Sequence, residues 1–417
     1  MPVSRAFPLW AGRTMAFIGI MLVAINLRTA AVAFSPIIGH INADIPLDGL
    51  RIGIIAAVPA VAFSLSAFFG AATAKKLGLE RLLALSIVFM VIGHLLRAVS
   101  TGYLVILVGT TISLGAAGIG NVLLPPLVKR YFNDRVGPLT ALYALVLAVS
   151  AALPAALAAP VADALGWRAS IGMWAILAML SLVPWLSILA QHRRERVTSG
   201  DEAPELAIPD TAMLGKIWHS KMAWALAVVF SSSAAHFYTA AAWFPQLMVN
   251  TANVNHIEAG GLLAICSLMG VPAALAVPIL AVRLKNVSWM ILAGLIFFSS
   301  GYLGLLLAPA AASILWVALV GLGALIFPVS LVLINLRSRT EAGSVALSGF
   351  VQGFGYAIAA AIPLLVGVLH DFSGGWTAPM IMVLVVTVLC IGPAVALRRP
   401  KFIEDDLVRI AGKPIRS

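Results

Sequence analysis

The chain has 417 residues, of which 61% are hydrophobic and only 10% charged, and its mean hydropathy is +1.03. Water-soluble domains carry about 25% charged residues, so a soluble fold is excluded. The net charge of +11 would suit a nucleic-acid binder, but the positions of the charges assign it to membrane orientation instead.

Apolar runs of about 20 residues or more recur along the whole length, as helices crossing a hydrocarbon core of ~30 Å require. Twelve spans are predicted, at about 15–39, 52–74, 82–99, 102–127, 136–162, 168–190, 222–249, 259–282, 287–308, 311–335, 343–369 and 377–397. The first follows Arg5 and Arg13 but is too long for the apolar region of a removable signal. Near its middle stands Arg28, roughly 16–20 Å from either end at the helical rise. No predicted span has Asp or Glu in its core; Asp163, Glu258, Glu341 and Asp371 fall at ends or in loops. Centring a cation in hydrocarbon costs on the order of 2.5–3.5 kcal/mol. With no protein anion at that depth, the cation invites an anion from outside. The bland alternative is a structural arginine satisfied by neighbouring carbonyls, with Asn26 as a local partner. Asn26 lies two residues away and so on another helix face; it lines the edge of a cavity or orients a neighbouring helix.

Further along, Asn121 sits between Gly118-Ile119-Gly120 and Pro125-Pro126. Small residues there allow close helix approach and prolines allow bending, so the fourth span reads as a moving gate element with Asn121 facing the cavity. Tyr143 in the fifth span and Gln352 in the eleventh are further lining candidates. The seventh span carries His236, Phe237 and Tyr238 at its centre. The aromatics can stack on a flat solute or serve as core. His236 is the one central side chain that titrates near neutrality, so it can couple a proton or act as a hydrogen-bonded structural group. Trp243 reads as a packing or interfacial residue. Cys266 and Cys390 fall inside apolar spans and read as buried small hydrophobes rather than a disulfide.

Lys75, Lys76, Arg81, Lys129, Arg130, Arg135, Arg337, Arg339, Arg398 and Arg399 all fall on one side of the membrane in this layout; the other side holds only Arg51, Arg97 and Arg168. The positive-inside rule then places both termini in the cytoplasm. A polar, acidic and proline-containing interval over 191–221 separates residues 1–190 from residues 222–397, with a tail over 398–417, and reads as a linker with Trp218 anchoring a short interfacial helix. The two halves are similar. A shift of 209 places Pro36 on Pro245, Tyr143 on Gln352, Pro154 on Pro363, Gly166 on Gly375 and Trp167 on Trp376, while Arg28 falls on Phe237 and Thr29 on Tyr238. A shift of 203 superposes Gly118, Gly120 and Pro125 on Gly321, Gly323 and Pro328. The expected fold is therefore an all-α membrane protein, with twelve helices in two pseudo-symmetric bundles of six and a site at mid-depth between them.

Several motifs resemble the cyanate permease and 2-nitroimidazole transporter branch of the major facilitator superfamily. They are Asn26-Leu27-Arg28 with Ser35-Pro36, Pro126-Leu127-Val128-Lys129-Arg130-Tyr131-Phe132, Phe237-Tyr238 with Trp243-Phe244-Pro245, Phe327-Pro328, and Val351-Gln352-Gly353-Phe354-Gly355. One departure is the loop over Gly70–Arg81, which lacks the aspartate of the superfamily's Gly-x-x-x-Asp-x-x-Gly-Arg-Arg pattern. The resemblance implies a monomeric secondary transporter of the cytoplasmic (inner) membrane that works by alternating access. Its cargo would be a small anion or an electron-rich heteroaromatic solute, moved with a coupling proton or counter-substrate, with no cofactor, metal or nucleic acid. A multidrug-type exporter of neutral lipophilic compounds, with Arg28 structural, stays open at this point, as does a passive pore or substrate sensor. No phosphate-cradling loop, metal-ligand cluster or nucleophile–base set points to an enzyme.

Overall fold

The computed structural model describes residues 13–199, 217–283, 286–399 and 401–406. Among them are twelve helices long and apolar enough to cross a membrane, and no strand. They are α1 (Thr14–Asp44), α2 (Gly49–Leu77), α3 (Leu79–Ala98), α4 (Tyr103–Tyr131), α5 (Val136–Leu165), α6 (Trp167–Ser199), α7 (Lys221–Ala252), α8 (His256–Leu268 with Gly270–Arg283), α9 (Ser288–Leu307), α10 (Ser313–Gly323 with Ile326–Leu336), α11 (Glu341–Ser373) and α12 (Thr377–Leu389 with Ile391–Ala396). The expected spans are present in order. Their ends differ where amphipathic turns continue the helix: α1 runs on to Asp44, burying Ile41, and α6 runs on to Ser199, into the expected linker. The acidic part of that linker, in 200–216, and the tail over 407–417 lie outside the described residues.

Local chemistry sets the boundaries. Asp48 accepts from the Arg51 amide at 2.7 Å to cap α2, and the Asn255 and Glu258 side chains form a reciprocal capping box that starts α8. Left-handed glycines close α2, α5 and α11: Gly78 (φ 83°), Gly166 (φ 85°) and Gly374 (φ 67°). The repeat register expected Gly375 opposite Gly166; the positive φ falls one residue earlier, although Trp167 and Trp376 still lie at the starts of α6 and α12.

The packing repeats. In the first half α3 packs on α4 and α6, α2 on α4, and α1 on α5. In the second half α9 packs on α10 and α12, α8 on α10, and α7 on α11. Each of these pairs has its counterpart, so the halves repeat one six-helix plan. Between them the principal contacts are α2 with α11 and α5 with α8, themselves counterparts. Glycines allow the tight crossings. A Cβ on Gly93 of α3 would sit 2.7 Å from the Gly109 carbonyl oxygen of α4, and one on Gly301 of α9 would sit 2.8 Å from the Trp316 carbonyl oxygen of α10. Such close approach replaces the hydrophobic driving force that lipid removes.

Gly93→Leu and Gly301→Leu should therefore each destabilise their own bundle by about 1–3 kcal/mol through overpacking. Gly115→Ala, whose added methyl has nothing within 4 Å, should leave thermal stability in detergent unchanged. Equal melting temperatures for all three variants would contradict this account of the crossings.

Candidate functional site

The site begins with a fault in α1. The helix runs from Thr14 to Asn26 and restarts at Thr29–Val32, so Leu27 and Arg28 lie at the break, with Arg28 at φ −115° and ψ −7°. Neither proline nor glycine occurs there; a side chain takes up the freed Asn26 carbonyl instead. Thr29 Oγ1 donates to the Asn26 carbonyl at 2.9 Å, and Asn26 Nδ2 donates to the Leu22 carbonyl at 2.7 Å and toward Leu177 of α6 at 3.4 Å. A discontinuous helix at mid-depth between repeats is where carriers of this plan build binding sites.

Arg28 projects from the break into a cavity of about 520 Å³ between the halves. Its Cζ lies 4.0 Å from the centroid of Phe237 in α7, the residue that the internal repeat aligns with it. No hydrogen bond or ion pair links the guanidinium to any described residue, and no carboxylate is among the residues lining the cavity. A cation–π contact contributes about 0.5–2 kcal/mol. That is less than the cost of centring the charge, so the ring offsets only part of it. The ring covers one face of the guanidinium and leaves the N–H edge free. An edge of parallel donors suits a planar or linear acceptor held by two bonds.

The surrounding groups are aromatic and hydroxylic. Tyr143, Tyr238 and Tyr356 line the same cavity, and the buried Tyr238 hydroxyl has no hydrogen-bond partner among the described residues. Tyr238 and Tyr356 rings lie 6.3 Å apart, and Phe63 reaches both from α2. His236 also lines the cavity; its Nε2 pairs with Thr387 Oγ1 of α12 at 2.9 Å, and its ring stacks over Phe298 at 3.9 Å. The candidates read from sequence thus divide. Arg28, Tyr143, His236, Phe237 and Tyr238 come together around one space, while Asn26, Asn121 and Gln352 are not among the residues lining it. Asn26 is buried against α6, and Gln352 donates to Ser348 at 2.8 Å. Tyr356 was missed by the sequence reading, although the signal was available: it lies one turn beyond Gln352, and the same repeat maps it onto Leu147, one turn beyond Tyr143 and also lining the cavity.

The cavity extends from Arg28 to Asn335, which is exposed near the pole that carries Arg130, Arg339 and Arg398. At the opposite pole the halves close on each other. Ser35 Oγ donates to the Ala242 carbonyl at 2.6 Å, the Leu50 amide donates to Asp371 at 3.2 Å, and the His40 and His256 rings lie 5.9 Å apart. The boundary acids are engaged in structure: Asp163 with His40 at 2.7 Å, Asp371 with Leu50, and Glu258 in its cap. At the basic pole Glu80, in the first turn of α3, pairs with Arg130 at 3.2 Å and accepts from the Tyr131 hydroxyl at 2.9 Å. Nearby, hydrogen bonding from Arg13 holds the Asp134 carboxyl below its ordinary range.

Comparisons with known proteins bear on the family and the fold. The family model of the Major Facilitator Superfamily matches residues 16–318. The chain is 31% identical over 381 residues to an uncharacterized transporter of Bacillus subtilis (strain 168), covering 90% of this chain and 91% of the relative. It is 28% identical over 379 residues to the 2-nitroimidazole transporter of Escherichia coli (strain K12), covering 90% and 93%. It is 25% identical over 361 residues to the cyanate transport protein of the same strain, covering 86% and 90%. Among solved structures it is similar to the D-xylose-proton symporter, with a TM-score of 0.69 at 13% identity over 96% of this chain and 99% of that one; this likeness shows the fold.

The cavity's geometry predicts one-sided access. With both native cysteines replaced by alanine, Asn335→Cys should react with a membrane-impermeant maleimide from the basic pole, and Pro36→Cys should be protected from both sides in the resting protein. Fast labelling of Pro36→Cys alone would mean that the opposite pole is the open one.

Proposed function

The chain belongs to the Major Facilitator Superfamily, and on that premise we propose that it transports a small anion or an electron-rich heteroaromatic solute with Arg28 as the anchor. The observation that carries this reading is the guanidinium edge left free at mid-depth while its face rests on Phe237. A carboxylate-like or cyanate-like anion would lie in the plane of that edge and accept two N–H bonds. A flat heteroaromatic would present ring nitrogens or nitro oxygens to the same donors and stack among Phe237, Tyr238 and Tyr356. The printed names of two relatives, which specify 2-nitroimidazole and cyanate, support a cargo of this size and electron-rich character.

In this reading the two six-helix bundles rock about the site. The closed contacts at Ser35–Ala242 and Leu50–Asp371 part as the basic pole closes. The basic pole faces the cytoplasm by the positive-inside rule. His236, the titratable member of the lining beside Arg28, is the group through which a coupled proton would exchange, with Thr387 fixing its ring. The apolar share of the walls, including Leu147, Phe298 and Phe327, favours one second reading: export of lipophilic compounds with Arg28 structural.

In proteoliposomes, Arg28→Ala should abolish saturable uptake of small anions and azoles while the melting temperature is retained, and Arg28→Lys should restore only a fraction. Full transport by Arg28→Ala, or inhibition of transport only by bulky hydrophobic compounds, would favour the exporter. His236→Gln should keep substrate binding yet lose stimulation by an imposed pH gradient; a variant still driven by that gradient would remove His236 from coupling.

A further inference from the structure

A second arginine lies inside the first bundle, away from the cavity. Arg97, near the end of α3 opposite the basic pole, has 0% of its surface exposed. Sequence placed it with the few charges of that membrane face; the fold buries it instead. The crossing of α3 and α4 is close here, since a Cβ on Gly109 would lie 2.8 Å from Arg97 Cγ. Nε, Nη1 and Nη2 of Arg97 have no hydrogen-bond partner among the described residues, and no described carboxylate is paired with it. His94, one turn earlier on the same face, is also 0% exposed with both ring nitrogens unpartnered. Thr110, beside Gly109 on the facing helix, is 1% exposed and its hydroxyl is unpartnered.

These groups can all donate, and a guanidinium has no acceptor of its own. A buried guanidinium without an acceptor is among the costliest arrangements a protein interior can hold. The ring of Phe34, 5.9 Å from Cζ, is at the outer limit of a cation–π contact and does little to offset that cost. Phe34 and Thr110, though not Arg97 or His94, also line a small cavity of about 20 Å³ between α1, α2, α4 and α7, whose wall shares Tyr238 with the central cavity. From this cluster we infer that Arg97, His94 and Thr110 form a second, buried binding site for a small monovalent anion within the first bundle, distinct from the Arg28 cavity. The ligand is chloride-sized or a short linear anion, because the adjoining space admits about one water-sized group. The guanidinium, an imidazole N–H and the threonine hydroxyl supply its donors.

The test uses the full-length protein in detergent, exchanged into sodium gluconate and titrated with sodium chloride, nitrate or thiocyanate. Two readouts are followed: melting temperature and the chloride-35 NMR linewidth. Arg28→Ala, which removes the central anchor, should keep a saturable response, because this site does not involve Arg28, and the Arg97, His94 and Thr110 variants are read in that background. Arg97→Met should lose it, and His94→Leu or Thr110→Val should weaken it by about tenfold, the effect of removing one hydrogen bond to a charged ligand. If Arg97→Met does not fold, the other two variants decide. Unchanged anion affinity in both would overturn the site, as would a wild type with no saturable response. A response lost in Arg28→Ala would assign the anion to the central cavity instead.

Discussion

The contact on which the site is built is that of the Arg28 guanidinium with the ring of Phe237, 4.0 Å away across the interface of the two halves. A cation at mid-depth can be neutralised by a carboxylate, dispersed over carbonyls, or rested on an aromatic face. Each choice has a different consequence for what else it can bind. A carboxylate would occupy the N–H edge and close the site to anions. The Phe237 ring takes the face and leaves the edge, so the charge is softened without being consumed. The backbone breaks at this point: the α1 helix stops at Asn26, and the Thr29 hydroxyl bonds the freed Asn26 carbonyl. Asn26, buried against α6 behind the break, supports the arginine without sharing its space.

Arg28 meets Phe237 because of the internal repeat. Helices α1 and α7 occupy equivalent places beside the pseudo-two-fold axis, where corresponding positions face each other. Over most of the fold the repeat preserves chemistry, as in the glycine crossings of α3 with α4 and α9 with α10. At the axis it does not. One copy supplies a cation and the other supplies aromatic faces, and that asymmetry turns a symmetric seam into a site with a direction.

The sequence carried the architecture well because the membrane imposes it: twelve apolar lengths, one basic face, and proline and glycine in a repeated register all follow from hydrocarbon thickness and backbone hydrogen bonding. The site was legible in part. Arg28 stood out by cost alone, and the repeat pointed to Phe237. The break between Asn26 and Thr29 was not legible, since no proline or glycine marks it and tertiary contacts decide it. For the same reason the rotations of Asn26 and Gln352 away from the cavity could not be read from composition. Tyr356 could have been read from the repeat, one turn beyond Gln352 and opposite Leu147, but a tyrosine in a largely apolar helix gives no signal by itself. Arg97 read as a loop-proximal charge by count of residues, yet α4 crosses over it at Gly109. Depth along a helix is readable in sequence; which neighbour covers a residue is not.

The distribution of charge pairs bears on how such a structure moves. Among the described residues every ion pair lies within one half: Arg13–Asp134, Glu80–Arg130, Asp44–Arg168 and His40–Asp163 in the first, Arg339–Asp405 in the second. Glu404, buried, also accepts from the Arg339 and Thr340 amides and so ties the end of α12 to the start of α11 within the second half. Only three side-chain hydrogen bonds among the described residues cross between halves: Ser35 to Ala242, Leu50 to Asp371 and Ser64 to Gly353. A hydrogen bond of this kind contributes about 0.5–1.5 kcal/mol net, and the rest of the seam is glycine and aromatic packing. The ion pairs, mostly exposed and so worth little each, add nothing across the seam, and the side-chain hydrogen bonds that do cross it are few. In the proposed rocking, so few polar bonds across the seam would leave little to break when one closed pole is exchanged for the other.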